Sequence, residues 1–243
     1  MIFLSLRGLM KEIFFSKKIS YFDIFKLTRY YYPHKKLIFG FSREEVYTAY
    51  IDISINENTF FSNFKKNTKY EINRAKREGI IFEEEKNIKL FYNYYNEFAA
   101  TKQLEFIKYK TLLKYKDYFI ITKAVKDKLI LSMHLHIYND DIAILLYSAS
   151  QFRNIKDKKI KNLIGYSNRF LHFEDMLYFK NIGCIYYDFG GYAYNTDDKS
   201  KQNINQFKDS FSCIPKKRYI YTSWLLYSLI FIKNILRLKI QKL

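Results

Sequence analysis

The sequence predicts an α+β fold, in which a mixed central sheet containing an antiparallel meander is flanked by helices. Three observations lead there. Residues 118–150 hold three runs rich in β-branched and aromatic residues, "YFIITKAVK", "LILSMHLHIYN" and "DIAILLYSAS". They break only at "DK" and "DD", spacings that suit hairpins. A helical pattern of more than twenty residues, "KKIKNLIGYSNRFLHFEDMLYFKNIG", follows, and then another strand-like run, "CIYYDFGG". Strands and helices mixed in this order pack as a sheet with helices against it.

The remaining elements follow from local signals. Residues 1–36 read as a basic and aromatic extension of helical pieces ending at Pro33. "KLIFGF" and "VYTAYIDIS" read as strands. "ENTFFSNFKKNTKYEINRAKREG" reads as one helix that stops at Gly79, with Lys and Arg in its last turns where the helix dipole favours them. "IIFEEE" is a short strand, and "NIKLFYNYYNEFAATKQ" and "KYKTLLKYK" are helical. "NINQFKDSF" is a short helix and "KKRYIYTS" a last strand. The expected organisation is an extension over 1–36, one domain over 37–222 and a basic amphipathic helix over 223–243.

Composition narrows the function. The 243 residues are 49 % hydrophobic and 20 % aromatic, enough apolar surface to offset chain entropy and form a core. The net charge is +18, which calls for an anionic partner: nucleic acid, an acidic membrane surface or a phosphate-bearing substrate. Cys184 and Cys213 stand alone, without a CxxC, so neither a thiolate zinc site nor a disulfide framework is expected. Arg7 and Lys11 interrupt the apolar N-terminus, against a signal peptide. A cytoplasmic location is expected. The uncharged run from Tyr219 to Ile232 is shorter than the roughly 20 residues of a spanning helix. Followed by Lys233, Arg237, Lys239 and Lys242, it reads either as a terminal helix docked on the core or as a basic amphipathic helix on a membrane surface.

Several residues can carry chemistry. Asp188 ends a strand beside Gly190 and Gly191. It can cap the turn, or accept a proton and orient an amine, while the glycines permit a positive φ and a close approach. Asn168, His172 and Asp175 follow i, i+4, i+7 spacing and share one helix face; a histidine with a carboxylate nearby can act as a general base, or simply hold packing. His134 and His136 alternate on one strand face. No third ligand is evident, so they read as buried, hydrogen-bonded histidines and no metal is expected. Lys66, Lys69, Arg74, Lys76 and Arg77 make one helix basic. Arg74 and Arg77 share a face suited to a phosphate, and a solvated face is the competing reading.

Three stretches, in order, resemble the Fem-type branch of the GNAT-fold acyltransferases. "KKNTKYEINRAKREGI" is similar to its R-x-x-I-x-x-A-x-x-x-G helix, with Tyr70 in place of a common arginine. "GYSNRFLHFEDMLYFKNIGCIYYDFGG" resembles its long helix followed by YDFGG, and "INQFKDSF" its F-K-x-x-F element. The resemblance spans about residues 40–222 and implies a single acyltransferase domain. It implies that Phe207 and Lys208 sit at the acyl-donor channel, with Lys208 stabilising a tetrahedral intermediate and Asp188 near the transfer cleft. It implies transfer of an acyl or aminoacyl group to an amine of a peptidoglycan or other envelope-glycan precursor. The place of the CoA pyrophosphate loop reads "SQFRNIKDKKIKN", without glycine, so the donor is either an aminoacyl-tRNA or an acyl-CoA bound differently. The backbone around Ser148 and Ser150 would offer N–H groups to the carbonyl. No tightly bound cofactor is expected. Expected partners are a phosphate-bearing glycan or lipid-linked precursor, tRNA, and an anionic inner membrane face. Two rivals stand beside this reading: a non-catalytic RNA- or membrane-binding module on a degenerate fold, and a lipid aminoacyltransferase.

Overall fold

The early segment that the sequence pattern marks as helical holds three short strands and a 3-10 turn among its described residues. The computed structural model describes residues 2–4, 10–31, 36–114, 116–151 and 157–240, so the expected stop at Pro33 lies outside the described residues. The chain divides into two compact units, residues 47–216 and residues 1–46 with 217–243.

In the smaller unit, β1 (Ile2–Leu4) runs antiparallel to β2 (Lys11–Phe14), and β2 runs parallel to β3 (Thr28–Tyr31). A 3-10 turn spans Tyr21–Phe25. Ile13, Tyr30, Phe41 and Tyr221 form a small buried core. The pieces are strands because β3 pairs with the chain's last strand, Tyr31 opposite Ile220 and Arg29 opposite Thr222. Local propensity does not register a partner that distant in sequence. "KLIFGF" differs too: Phe39 and Gly40 form a turn, and the strand starts only at Phe41.

β4 (Phe41–Asp52) crosses into the larger unit, where the expected single helix is two, α1 (Glu57–Ser62) and α2 (Lys66–Arg77). The break has a physical cause. Phe64 turns into the core against Phe60, Phe61, Phe173 and Phe211. The Lys65 N–H is taken by the Ser210 carbonyl at 2.9 Å, and the Asn63 carbonyl by the Ser212 hydroxyl, so neither serves an intrahelical bond.

β5 (Ile81–Glu85), α3 (Ile88–Lys102) and α4 (Tyr109–Lys114) fall where the sequence places them. The meander is β6 (Phe119–Lys126), β7 (Leu129–Tyr138) and β8 (Ile142–Ser150). Asp127 and Lys128 both adopt positive φ, 49° and 66°, which gives the two-residue turn the handedness a hairpin needs without glycine. α5 (Lys158–Asn181) is capped by Asp157, which accepts from the Lys159 and Ile160 N–H groups. It crosses over to β9 (Tyr186–Tyr192), parallel to β8. α6 (Lys199–Asp209) starts at an Asp198 cap; β10 (Ile214–Ser223) and α7 (Trp224–Ile240) end the described chain. The larger unit's strands run in the order β4-β9-β8-β7-β6-β5, and α2 and α5 pack together against its main core.

Candidate active site

Two parallel strands that part company create the cleft. β8 and β9 pair over only three residues, Ile142 with Tyr186 to Ile144 with Asp188. Just beyond, β8 carries a bulge, since Leu135 faces Tyr147 and His136 faces Leu145. Gly190 then takes φ +77°, and a Cβ there would stand 3.3 Å from the Leu145 carbonyl oxygen. Gly190 thus meets both needs foreseen for the glycine pair. Gly191 meets neither, having ordinary φ and open space around it. Where pairing stops, a cavity of about 480 Å³ opens; Leu145, Ser148 and Ser150 of β8 line it together with Phe189 of β9. Its other walls come from Phe98, the exposed Lys102, Asn168 and His172, and from α6 through Ser200, Asn203, Ile204, Phe207 and Lys208.

Lys208 is the buried cation of this cleft. Its Nζ donates to the Gly191 carbonyl, which holds the side chain against the end of β9 and leaves further ammonium N–H bonds to spare. Burial lowers its pKa, while the nearby Asp188 opposes that shift. Asp188 is fully buried. One carboxylate oxygen accepts the Gly190 N–H at 2.7 Å, the Asx turn foreseen from the sequence, and the other has no ordinary hydrogen-bond partner. Burial pushes its pKa up to about 7 against the pull of the Gly190 N–H, the Thr48 hydroxyl and Lys208. The Thr48 hydroxyl acts through proximity, since it too lacks an ordinary hydrogen bond. Asp188 does not line the cavity; it touches the chemistry through Lys208.

His172 also lines the cavity and rests on a buried polar network. Its Nδ1 lies 3.0 Å from the Tyr187 phenol oxygen, and the same oxygen lies 3.0 Å from His136 Nε2. Asp175 does not reach His172. Its Oδ2 sits 2.6 Å from His134 Nδ1 and 3.6 Å from His136 Nε2, and its Oδ1 accepts from the Thr122 hydroxyl at 2.6 Å. His134 Nε2 meets Asn168 Oδ1 at 3.1 Å, and the His134 ring stacks 4.3 Å from that of His172. The shared helix face of Asn168, His172 and Asp175 is therefore real, but the carboxylate's partner is His134, on β7. Burial, then the neighbouring His134, His136, Lys208 and Arg169, push the His172 pKa well below the ordinary histidine range. Burial pushes His136 down to about 4 and Tyr187 well up, so a neutral imidazole faces a neutral phenol.

A third metal-ligating group does stand near the histidines. His134, His172 and Asp175 bring one ligand atom each within 4.8 Å of one another. The short His134–Asp175 contact occupies both of those groups, so the arrangement works as a hydrogen-bond network.

The cleft thus gathers Lys208, His172, Phe207, Asn168 and Ser150; Asp188, Gly190 and Gly191 do not line it, and Gly191 reaches it through the carbonyl that holds Lys208. It does not include Arg74 or Arg77. Arg74 pairs with Glu78 one turn on, Arg77 is exposed, and Lys76 pairs with Glu174 at 3.2 Å. Sequence reading missed Tyr187, Ser200 and Asn203. Tyr187 carried a signal: with Phe189 it occupies alternate positions of a strand, so both point to one face, the one His172 packs against. In the loop after β8, residues 152–156 of "SQFRNIKDKKIKN" lie outside the described residues.

No family model matches the sequence, and neither does any curated protein. Solved structures do match. FemX aligns with a TM-score of 0.64 at 13 % identity, over 79 % of this chain and 68 % of its own. The C-terminal domain of a putative lysylphosphatidylglycerol synthetase from Agrobacterium fabrum aligns with a TM-score of 0.57 at 13 % identity, over 80 % and 67 %. The L-PGS structure from Bacillus licheniformis aligns with a TM-score of 0.53 at 14 % identity, over 82 % and 68 %. At such identities the likeness speaks for architecture alone: this chain shares its α+β fold with FemX and with these two structures.

Proposed function

We propose that the protein is an N-acyltransferase that moves an acyl or aminoacyl group from an activated ester or thioester to an amine on a cell-envelope precursor. The observation that carries this reading is the position of Lys208, a buried cation at the wall of the cleft opened between β8 and β9, a cleft that His172 also lines. Amine attack places negative charge on the donor's carbonyl oxygen, and a preorganised ammonium in a water-poor site favours that state. The new C–N bond forms as the ester C–O or thioester C–S bond breaks. The proton lost by the amine goes first to His172, through the nitrogen not committed to Tyr187, and ends on the leaving oxygen or sulfur. Asp188 holds Lys208 in place electrostatically, Phe207 walls the donor channel, and Ser150 and Asn168 offer polar contacts to the substrates. The +18 charge suits an aminoacyl-tRNA donor and a phosphate-bearing acceptor.

A lipid acceptor is the second reading. The fold likeness to the putative lysylphosphatidylglycerol synthetase domain and to L-PGS is the observation that favours it. Product mass analysis tests both. The purified protein is offered acetyl-CoA in one reaction and a mixture of charged tRNAs in another, each with amino-sugar nucleotides, peptidoglycan precursors and phosphatidylglycerol. A mass gain on a glycan or peptide amine supports the first reading, and a gain on the lipid the second. No gain with either donor sinks both and leaves a binding module on an acyltransferase fold.

A further inference from the structure

The smaller unit holds apolar side chains that none of its described residues covers. Phe22 is 83 % exposed, Phe25 82 %, Leu37 79 % and Phe39 76 %. Tyr21 joins them from the same 3-10 turn. α7 adds Trp224, Leu225, Tyr227, Leu229, Phe231 and Ile232, all exposed, with Leu226 buried beneath. These residues form one surface. α7 packs on the 3-10 turn, the Phe39 and Trp224 rings meet edge to face at 5.0 Å, and the Trp224 N–H donates to the Gly40 carbonyl at 3.0 Å. Gly40 makes the junction possible: it has φ +81°, and a Cβ would collide with Ile24 of the 3-10 turn. A folded chain rarely shows water so many contiguous large apolar groups unless something else covers them.

Charge selects what covers them. The unit contains fifteen Lys and Arg against four Asp and Glu. Two of those four acids are buried and engaged: Asp23 accepts from the Tyr30 hydroxyl and pairs with Lys26, and Glu12 accepts from the Tyr31 hydroxyl. Lys17, Lys18, Lys26, Lys36 and Lys233 are exposed in the segments that carry the apolar groups. Two copies face to face would set these cations against each other. An acidic protein partner would satisfy the lysines but not a fringe of Phe and Trp that interrupts them. A membrane surface with anionic headgroups satisfies both at once, since lysines meet phosphates while aromatic and aliphatic side chains enter the acyl boundary. α7, at 17 residues, fits lying in that boundary: no helix among the described residues is long and apolar enough to cross a membrane.

We propose that this unit is an anionic-membrane docking platform, in which the Tyr21–Phe25 turn, the Leu37–Phe39 turn and the exposed face of α7 enter the headgroup region together. The proposal does not rest on the acyltransferase reading. Of the two readings the sequence leaves open for the terminal helix, docked on the core or lying on a membrane surface, the proposal takes the second. The basic positions Arg237 and Lys239 fall where no side chain is described, and Lys242 lies outside the described residues.

Trp224 is the protein's single tryptophan, so the unmodified chain carries its own probe. Vesicles of phosphatidylcholine mixed with phosphatidylglycerol should shift its emission to shorter wavelength, and brominated acyl chains should quench it. Binding should weaken at high salt and on pure phosphatidylcholine. The triple variant Phe22→Ser, Phe25→Ser, Phe39→Ser should bind about tenfold or more weakly. Its circular dichroism should match the wild type, because those rings support no core. Unquenched emission with every vesicle overturns the proposal. So does equal binding to neutral and anionic vesicles, or a lipid-free shift that grows with protein concentration alongside dimers in sedimentation.

Discussion

Tyr187 and His172 meet through a 3.0 Å hydrogen bond between the phenol oxygen and Nδ1, and that one hydroxyl also lies 3.0 Å from His136 Nε2. The phenol couples the cavity-lining histidine to His136 of β7 and, through it, to the buried network around Asp175 of α5. Tyr187→Phe keeps the ring and its contacts with Phe189 and Phe179, and removes only the shared oxygen. Leaving buried imidazole nitrogens without that partner should cost about 1–3 kcal/mol in chemical denaturation. If His172 takes the proton, kcat should fall and its pH profile should change shape, while KM for the donor moves little. A variant that is destabilised but turns over with an unchanged pH profile would make the network purely structural.

Lys208→Ala should lower kcat by about 10²–10³, the usual loss when one donor to a developing oxyanion is removed. Because the lysine is buried and bonded to the Gly191 carbonyl, Lys208→Met serves as a control that keeps the volume. If both variants fold with wild-type melting behaviour and retain full turnover, the oxyanion role is wrong. His172→Gln, made alongside them, should lose about 10²–10⁴ for a general base.

The site was partly legible because its helical half obeys a period. Asn168, His172 and Asp175 must share a face of any helix that contains them, and they converge on His134. The meander was legible because its turns are short, two residues between β6 and β7 and three between β7 and β8. The helix break at Phe64 was not, since it depends on Ser210 and Ser212, almost 150 residues downstream. Tyr187 hid for a compositional reason. With 24 tyrosines and 23 phenylalanines, one more aromatic in a strand carries little signal, and only the pairing of strands shows which one meets a histidine. The exposed Phe22 and Phe25 were hidden for the opposite reason: apolar residues in a helix-like pattern read as core.

Asp188 should make stability depend on pH with an unusual sign. Its folded pKa, about 7, lies above its ordinary 3.8, so the native state holds the proton more tightly than the unfolded chain. Below about 3.8 both states are protonated and the group contributes no difference. As pH rises from there toward 7 the unfolded state gains by ionising, and native stability falls by about 1.4 kcal/mol per unit of the shift. Above 7 the loss is complete. Asp188→Asn should therefore flatten this slope, seen as a smaller drop in denaturation midpoint between pH 5 and about pH 8 than the wild type shows. An identical slope in both proteins would place the titration elsewhere. If ionised Asp188 is what keeps Lys208 charged, wild-type kcat should also rise through pH 7, and Asp188→Asn should lose that inflection.

Gly190→Ala tests whether the parting of β8 and β9 matters. At φ +77° an alanine is strained by about 1–2 kcal/mol, and its methyl stands 3.3 Å from the Leu145 carbonyl oxygen. The strand end must shift to relieve both, and it carries the Gly191 carbonyl that holds Lys208. Activity should therefore fall by more than the stability loss accounts for, with kcat dropping even at temperatures where circular dichroism shows the variant fully folded. Gly191→Ala is the matched control, since that residue has ordinary φ and open space around it and should tolerate a methyl in both assays. Equal effects of the two substitutions would mean that the backbone at Gly190 does not set the cleft.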